Sequence, residues 1–473
     1  MKKILTMAAM ALLMTACSND IDEPQAQQQP ANTDGMITIT AKLAPKSDAG
    51  TRAVTPGTDS QSKDIIKVTW AENEHLAILY EVSGEKKVAD ATITAVDATT
   101  GAATMTFAVD GSTADDTPCT IVYPLAAAKD DKTGVKDAAT LLATQMGTLN
   151  ANLDVRVGAG TISTTTPSLA VTTQPVAQFA IHKFKIQDLS ATDKTATEFK
   201  VSDASGNVIT TVTPSSATGT LYIALPVLAG GTYWFNATID NKPYINKATT
   251  SAATTAGTYY QSTVKMATLG NVIGENGKFY VNATSASSAS TTARAMITYV
   301  GIATGEATYG FTHGLALAMS DANGGSTINW STSTGSTVHT YTSNNINFTS
   351  ESGLQYNNET HNSDTYPAFK AAMVNNGTAA PTSCSAWFLP TAYQWNQMIN
   401  ACKNVLGTNN NYTDLRDGFN GVGGNNLLQS DQYLSSTESS ANSAWVYDFT
   451  SEAAGWHEGN KGSSRLVRSA LAF

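Results

Sequence analysis

The sequence predicts a mainly β protein, with two β-sandwich domains followed by an α+β domain. Three observations carry this expectation. Short runs with alternating apolar and polar side chains recur from residue 36 to residue 266, separated by Gly, Asn and Asp turns. Charged residues make up only 14 % of the chain, Thr and Ser are abundant, and few segments carry a long apolar stripe at helical spacing. Past residue 272 the composition shifts and helical spacing appears. A chain of 473 residues is also too long for one hydrophobic core.

Taken in order, "MKKILTMAAMALLMTAC" (1–17) has two lysines, then an apolar run too short to span a bilayer, as in a secretory signal. Residues 18–35 are acidic, then Gln- and Pro-rich, and read as a flexible tether. "MITITAKL" (36–43) alternates Ile37, Ile39, Ala41 and Leu43 against polar residues, as a half-buried strand does. It opens an N-terminal sandwich over 36–165, interrupted by a polar loop with two Pro and two Gly over 44–64. "HLAILYEV", "ATITAVDA", "GAATMTFAVD" and "CTIVYPL" continue it, and "DAATLLATQM" (137–146) reads as a short helix or a crossing segment. A second sandwich is expected over 166–268, from "QFAIHKFKI" through "GTYWFNATIDN" to "YYQSTVKM".

The last domain is expected over 272–473. "KFYVNAT", "ARAMITYVG" and "GLALAM" read as strands. Tyr366, Phe369 and Met373 give one amphipathic helix. A second follows Pro390. Thr391 and Gln394 make a capping box, and Trp395, Met398, Ile399 and Cys402 fall on one face. That face reads as core. "SAWVYDF" and "RLVRSALAF" read as strands. Polar loops over 320–345, 416–432 and 455–464 are the expected places for binding.

The net charge is −10, and it becomes −12 when Lys2 and Lys3 leave with a signal peptide, 26 basic against 38 acidic residues. That argues against nucleic acid and anionic membrane surfaces as partners. Cys119, Cys384 and Cys402 remain beyond Cys17, without metal-ligand spacing. Cys384 and Cys402 either pair or are buried thiols. "STVK" (262–265) falls in an expected strand, and "GENGKF" lacks the residues of a phosphate loop. Asp448, Glu452 and Glu458 are scattered carboxylates of a kind any acidic protein offers. No catalytic residue, cofactor or metal is expected. Asp321 and Asn323 in "DANGG" offer oxygen donors that suit calcium, but an Asx-rich turn explains them better. Trp330, Tyr341 and Trp456, with His457 beside it, are the aromatic candidates for stacking on a ligand.

Two resemblances organise these residues. "MTAC" resembles the lipobox of bacterial lipoproteins, which implies cleavage before Cys17 and lipidation of its thiol. With "MITITAKL", "GTRAV", "VTWAENEHLAILY", "CTIVYPL", "GTLYIALPV" and "TYYQSTVKM", residues 17–266 resemble the fimbrillins of Bacteroidales, the subunits of type V pili. The resemblance implies an outer-membrane, surface-exposed lipoprotein that is cut after an arginine following the first strand. Arg52 matches that position, with Lys46 as an alternative. It also implies strand exchange with other fimbrial subunits, and membrane contact only through the lipid.

Residues 279–473 resemble a C-type-lectin-like domain related to formylglycine-generating enzymes. Trp387, Leu389, Pro390, Thr391 and Trp395 match its W-x-L-P-[ST]-x-x-x-W pattern. "YLSSTE" matches a second element, with Leu434 in place of Trp. "VRSAL" matches a closing strand that pairs with the module's first strand. The expected function is a pilus tip or accessory subunit acting as an adhesin. The alternative is a non-polymerising surface lipoprotein that binds a glycan or a host protein.

Overall fold

The computed structural model describes residues 35–45, 52–58, 64–335, 337, 351–360, 364–403, 405–406, 412–424, 432–449 and 455–473. The chain is mainly β. Its first unit contains β1 (Met36–Leu43), β2 (Arg52–Thr58), β3 (Asp64–Val68), β4 (His75–Val82), β5 (Glu85–Val96), β6 (Ala103–Asp110), β7 (Thr117–Tyr123), the helix α1 (Ala138–Leu142), β8 (Arg156–Ser163) and β9 (Ser168–Ala177). Seven of these strands close into a sandwich-like barrel in the order β1-β6-β5-β4-β7-β8-β9, while β2 and β3 form a separate ribbon. Period-two alternation explains the closure. β6 buries Ala103, Met105, Phe107 and Val109 on one face, and β1 buries Ile39, Ala41 and Leu43 against them.

Two expectations change here. The loop over 44–64 contains β2, so part of it is strand. The second domain does not begin at 166, because β9 closes the first barrel. Its pattern is weak: Leu169 and the partly buried Val171 turn inward, but Thr172, Thr173 and Gln174 then face solvent and Val176 is exposed. The pairing is set instead by small residues on β8. A Cβ on Gly158 would come within 2.6 Å of the Thr173 carbonyl oxygen, so only glycine lets β9 lie this close.

The second unit contains β10 (Ala180–Asp188), β11 (Glu198–Ser202), β12 (Val208–Val212), β13 (Thr220–Leu225), β14 (Gly231–Ile239), β15 (Lys242–Thr250) and β16 (Tyr259–Thr268). β16, which holds the "STVK" stretch, pairs in parallel with β10 and then turns to pair with β15. The sheet therefore folds over itself. Phe184 of β10 meets Phe199 of β11 at 5.3 Å and Phe235 of β14 at 5.4 Å, although neither strand is its neighbour. A shared apolar cluster of Leu79, Val122, Leu153, Phe179 and Ile181 joins this unit to the barrel.

The third unit is α+β. Its main sheet has the order β18-β17-β19-β20-β26, from β17 (Val272–Gly274), β18 (Phe279–Tyr280), β19 (Ala293–Val300), β20 (Gly314–Ala318) and β26 (Ala470–Ala472). Between these lie β21 (Ile328–Asn329), β22 (Gln432–Glu438), β23 (Ser443–Asp448), β24 (Gly455–Asn460) and β25 (Ser464–Arg465). The helices are α2 (Ala283–Ser288), α3 (Thr304–Ala307), α4 (Gly353–Thr360), α5 (Pro367–Val374), α6 (Ala392–Cys402) and α7 (Tyr412–Val422). The closing strand β26 pairs with β20, not with the module's first strand. "VNAT" is not strand either, because Asn282 and Ser285 cap each other and start α2. The loop expected over 416–432 is helical as far as Val422. Leu415, Phe419 and Val422 enter the core at helical spacing.

Candidate functional site

β1 lies antiparallel to β6 over its full length, from Met36 opposite Asp110 to Leu43 opposite Ala103. Its other edge meets β9 at one parallel pair, Thr40 with Ser168. Inward, Ile39 and Leu43 are fully buried and Ala41 nearly so, in one cluster with Trp70, Leu76, Ile78 and Tyr80. Outward, Thr40 and Lys42 face solvent. Burying side chains of this size contributes about 1.5–3 kcal/mol each. With the partly buried Ile37, β1 therefore supplies roughly 5 kcal/mol, comparable to the net stability of a domain.

The two ends of β1 are fixed differently. At the start, Gly111 donates to the Gly35 carbonyl at 2.6 Å, and a Cβ on Gly111 would sit 2.3 Å from that oxygen. The turn beyond β6 is held by Asp110, which accepts from the Ser112 hydroxyl at 2.6 Å and from the Ser112 amide at 2.9 Å. These bonds, the hydroxyl's foremost, hold the carboxyl below its ordinary range. At the other end, the Ala44 amide donates to Oε1 of Gln174 on β9 at 3.1 Å, an exposed bond. Arg52 opens β2, with its backbone opposite Val68 in the β2–β3 ribbon. Lys46 and Cys17 lie outside the described residues.

The C-terminal ligand candidates separate. Trp330 is not an exposed stacking platform. It is fully buried, donates from Nε1 to the Ser435 carbonyl at 2.9 Å, and packs edge-on to Phe369 at 5.0 Å. The Lys461 ammonium, ion-paired with Glu438 in the interior, sits 4.7 Å from its ring centre. Asp321 is not a free oxygen donor either. It is 8 % exposed, forms an ion pair with Arg468 at 2.7 Å and accepts from the Tyr433 hydroxyl at 3.0 Å. Arg468 is fully buried on the last segment and requires that carboxylate. Trp456 and His457 lie in β24 rather than in a loop, and both are half-buried. Trp456 donates to Oδ1 of Asn396 at 2.7 Å. Asn323 is exposed in a turn whose next residues, Gly324 and Gly325, also have positive φ. Tyr341 and Glu452 lie outside the described residues.

Asn323 lines a groove of about 380 Å³ whose other wall is α5, through Pro367, Lys370, Ala371 and Val374. Val374 is 54 % exposed there, and the Lys370 ammonium is held by Asp364 at 2.7 Å. Behind α6, the fully buried Glu306 ties three helices together, accepting from Ser352 of the α4 approach and from Gln394 of α6. Burial pushes its carboxyl above the ordinary range. Neither this network nor the two interior ion pairs is legible in the sequence, because each joins residues far apart in the chain. Trp395, Met398, Ile399 and Cys402 do form the inner face of α6. Cys384 and Cys402 are free thiols in different apolar clusters, and burial pushes the Cys384 thiol up to about 11. Among the described residues, no group of three or more His, Cys, Asp or Glu side chains is placed to hold a metal ion. Also among them, no helix is long and apolar enough to cross a membrane.

No family model and no curated protein matches the chain. Among solved structures, it is similar to a fimbrial protein from Bacteroides ovatus, at 12 % identity over 93 % of this chain and 100 % of that one, with a TM-score of 0.34. It is also similar to a fimbrial assembly protein from Parabacteroides distasonis, at 12 % identity over 48 % and 90 %, with a TM-score of 0.28. A third is a C-terminally truncated tip fimbrial protein, Mfa3, from Porphyromonas gingivalis, at 12 % identity over 45 % and 81 %, with a TM-score of 0.21. Likenesses this distant transfer neither residue roles nor partners to the chain.

Proposed function

We propose that this chain is a cell-surface fimbrial subunit of the tip or accessory kind, acting as an adhesin. It is exported as a lipoprotein on Cys17, cut after Arg52, and completed by a strand from a neighbouring subunit. One observation carries the reading. β1 plugs the first core with Ile39, Ala41 and Leu43, yet is held along one edge by a single pair. A cut at Arg52 leaves β1 attached to the barrel only by non-covalent contacts. Its departure opens a groove flanked by the unpaired backbone of β6, which a strand from another chain can fill. The β2–β3 ribbon has only two strands, and such ribbons open readily for a protease that binds its substrate extended.

The strand β26 is built into its own module. Phe473 is 2 % exposed, its carbonyl accepts from the His313 and Gly314 amides, and β26 is an edge of the module's own sheet. In this reading the C-type-lectin-like module is the outward, ligand-facing end, and the first barrel accepts a strand. The test is to cut the purified protein after Arg52 with an arginine-specific protease and add labelled peptide 36–44. Label entering the barrel, with unlabelled β1 released, supports the reading. A barrel that keeps its own β1 and takes up no label contradicts it.

The groove beside α5 favours the second reading, a non-polymerising lipoprotein that binds a glycan or host protein there. If Asn323→Ala and Val374→Ser abolish binding on glycan arrays while the chain stays uncut on cells, that reading replaces the first.

A further inference from the structure

We infer that the barrel selects its incoming strand by size, and that this also sets the strand's register; the inference rests on the strand-exchange reading above. The four inward residues of β1 stand directly opposite the four inward residues of β6. Ile37 is opposite Val109, Ile39 opposite Phe107, Ala41 opposite Met105 and Leu43 opposite Ala103. Directly opposed side chains on one face of an antiparallel pair are in contact range, so their volumes must fit together. Here large meets small at two adjacent positions, in opposite senses. The small Ala41 faces the long Met105, and the large Leu43 faces the small Ala103. All four side chains lie in one buried cluster with no solvent gap to absorb a misfit.

The occupant is therefore a β-strand of another chain, running in the direction of β1, with the inward pattern branched–branched–Ala–Leu. A one-residue slip would turn its apolar face outward. A slip of two residues along β6 is blocked by volume instead, since it would set Leu43 against Met105, or Ala41 against Ala103. The first overfills the core and the second leaves a void. Large and small side chains at these two places thus exclude the registers that alternation alone allows.

The test uses the chain beginning at Ala53, without β1, and three peptides covering 36–44: the natural sequence, one with Ala41→Leu, and one with residues 41 and 43 exchanged. Binding is read by peptide anisotropy and by stabilisation of the first melting transition. We expect the natural peptide to bind, and the other two to bind about ten- to a hundredfold more weakly, as overpacking and cavity terms of this kind imply. Met105→Ala in the barrel should recover most of the loss for the Ala41→Leu peptide. If that variant does not fold, Met105→Val carries the same test with a smaller recovery. Equal binding of all three peptides overturns the size rule and leaves strand exchange standing. Failure of the natural peptide overturns the exchange reading itself.

Discussion

β1 and β10 are each the first strand of a β unit. Each is set between an antiparallel neighbour and the last strand of its unit, which runs parallel to it. They are held very differently. β10 has six pairs with β13 on one side and eight with β16 on the other. β1 has eight pairs on one side and one on the other. β10 follows β9 directly, whereas β1 is followed by the segment that carries Arg52. Both bury large side chains, so apolar area does not distinguish them. Backbone pairing does. The same topological place is paired along both edges in the second unit and almost wholly along one edge in the first, which is the difference the proposed strand exchange would use.

The largest effect that can break this comparison comes from removing β1. A chain beginning at Ala53 should lose about 5 kcal/mol from the first barrel and little from the second, given the side chains withdrawn. Calorimetry should show one early transition, reversed by peptide 36–44. An unchanged first transition would mean that β1 is dispensable packing.

Next come Leu43→Ala and Ile186→Ala, matched fully buried residues on the two strands. Each should cost about 2–5 kcal/mol in its own unit. In protein cut after Arg52, added natural peptide should rescue only the first. Rescue of both, or of neither, would erase the distinction.

Acid sharpens the comparison. His182 on β10 is buried, stacked 4.9 Å from Tyr260, and its Nε2 has no hydrogen-bond partner among the described residues. Burial lowers its pKa from 6.5 to about 4. The unfolded chain therefore takes up a proton that the folded one refuses. Stability from the neutral ring is full above pH 6.5, and it falls between pH 6.5 and about 4 by roughly 3 kcal/mol. The second unit should lose stability across that window, and His182→Phe should flatten the slope. A slope unchanged by the substitution would assign the acid sensitivity elsewhere.

The smallest effect is at the lip of the β1 seat. Gln174→Ala removes the exposed bond to the Ala44 amide and should cost at most about 1 kcal/mol. In cut protein it should speed β1 release a few-fold. Slower release would mean that Gln174 obstructs the exit.

Much of this was legible in the sequence. The strict alternation of "MITITAKL" and "ATMTFAVD" marks β1 and β6, and Thr391 with Gln394 marks the start of α6. What was not legible depends on residues distant in the chain. β9 closes the barrel because Gly158 and Gly160 of β8 let it approach, not because its own pattern is strong. Trp330 sits in a Ser- and Thr-rich stretch that looks exposed, and it is buried by Phe369, Ser435 and Lys461, all more than thirty residues away. Asp321 reads as an Asx turn until Arg468 claims it. α7 was obscured by Gly418 and Gly421 within its span. The site divides in the same way. The strand and Arg52 can be read locally, whereas the one-sided pairing of β1 on which the proposal rests is a property of the closed barrel.

The most direct measurement is the N-terminal sequence and mass of the protein recovered from outer-membrane and sheared-surface fractions. The account predicts a chain that starts at Ala53, has lost residues 36–43, and is present in high-mass assemblies. A chain that starts at acylated Cys17, keeps β1 and is absent from sheared material would contradict it.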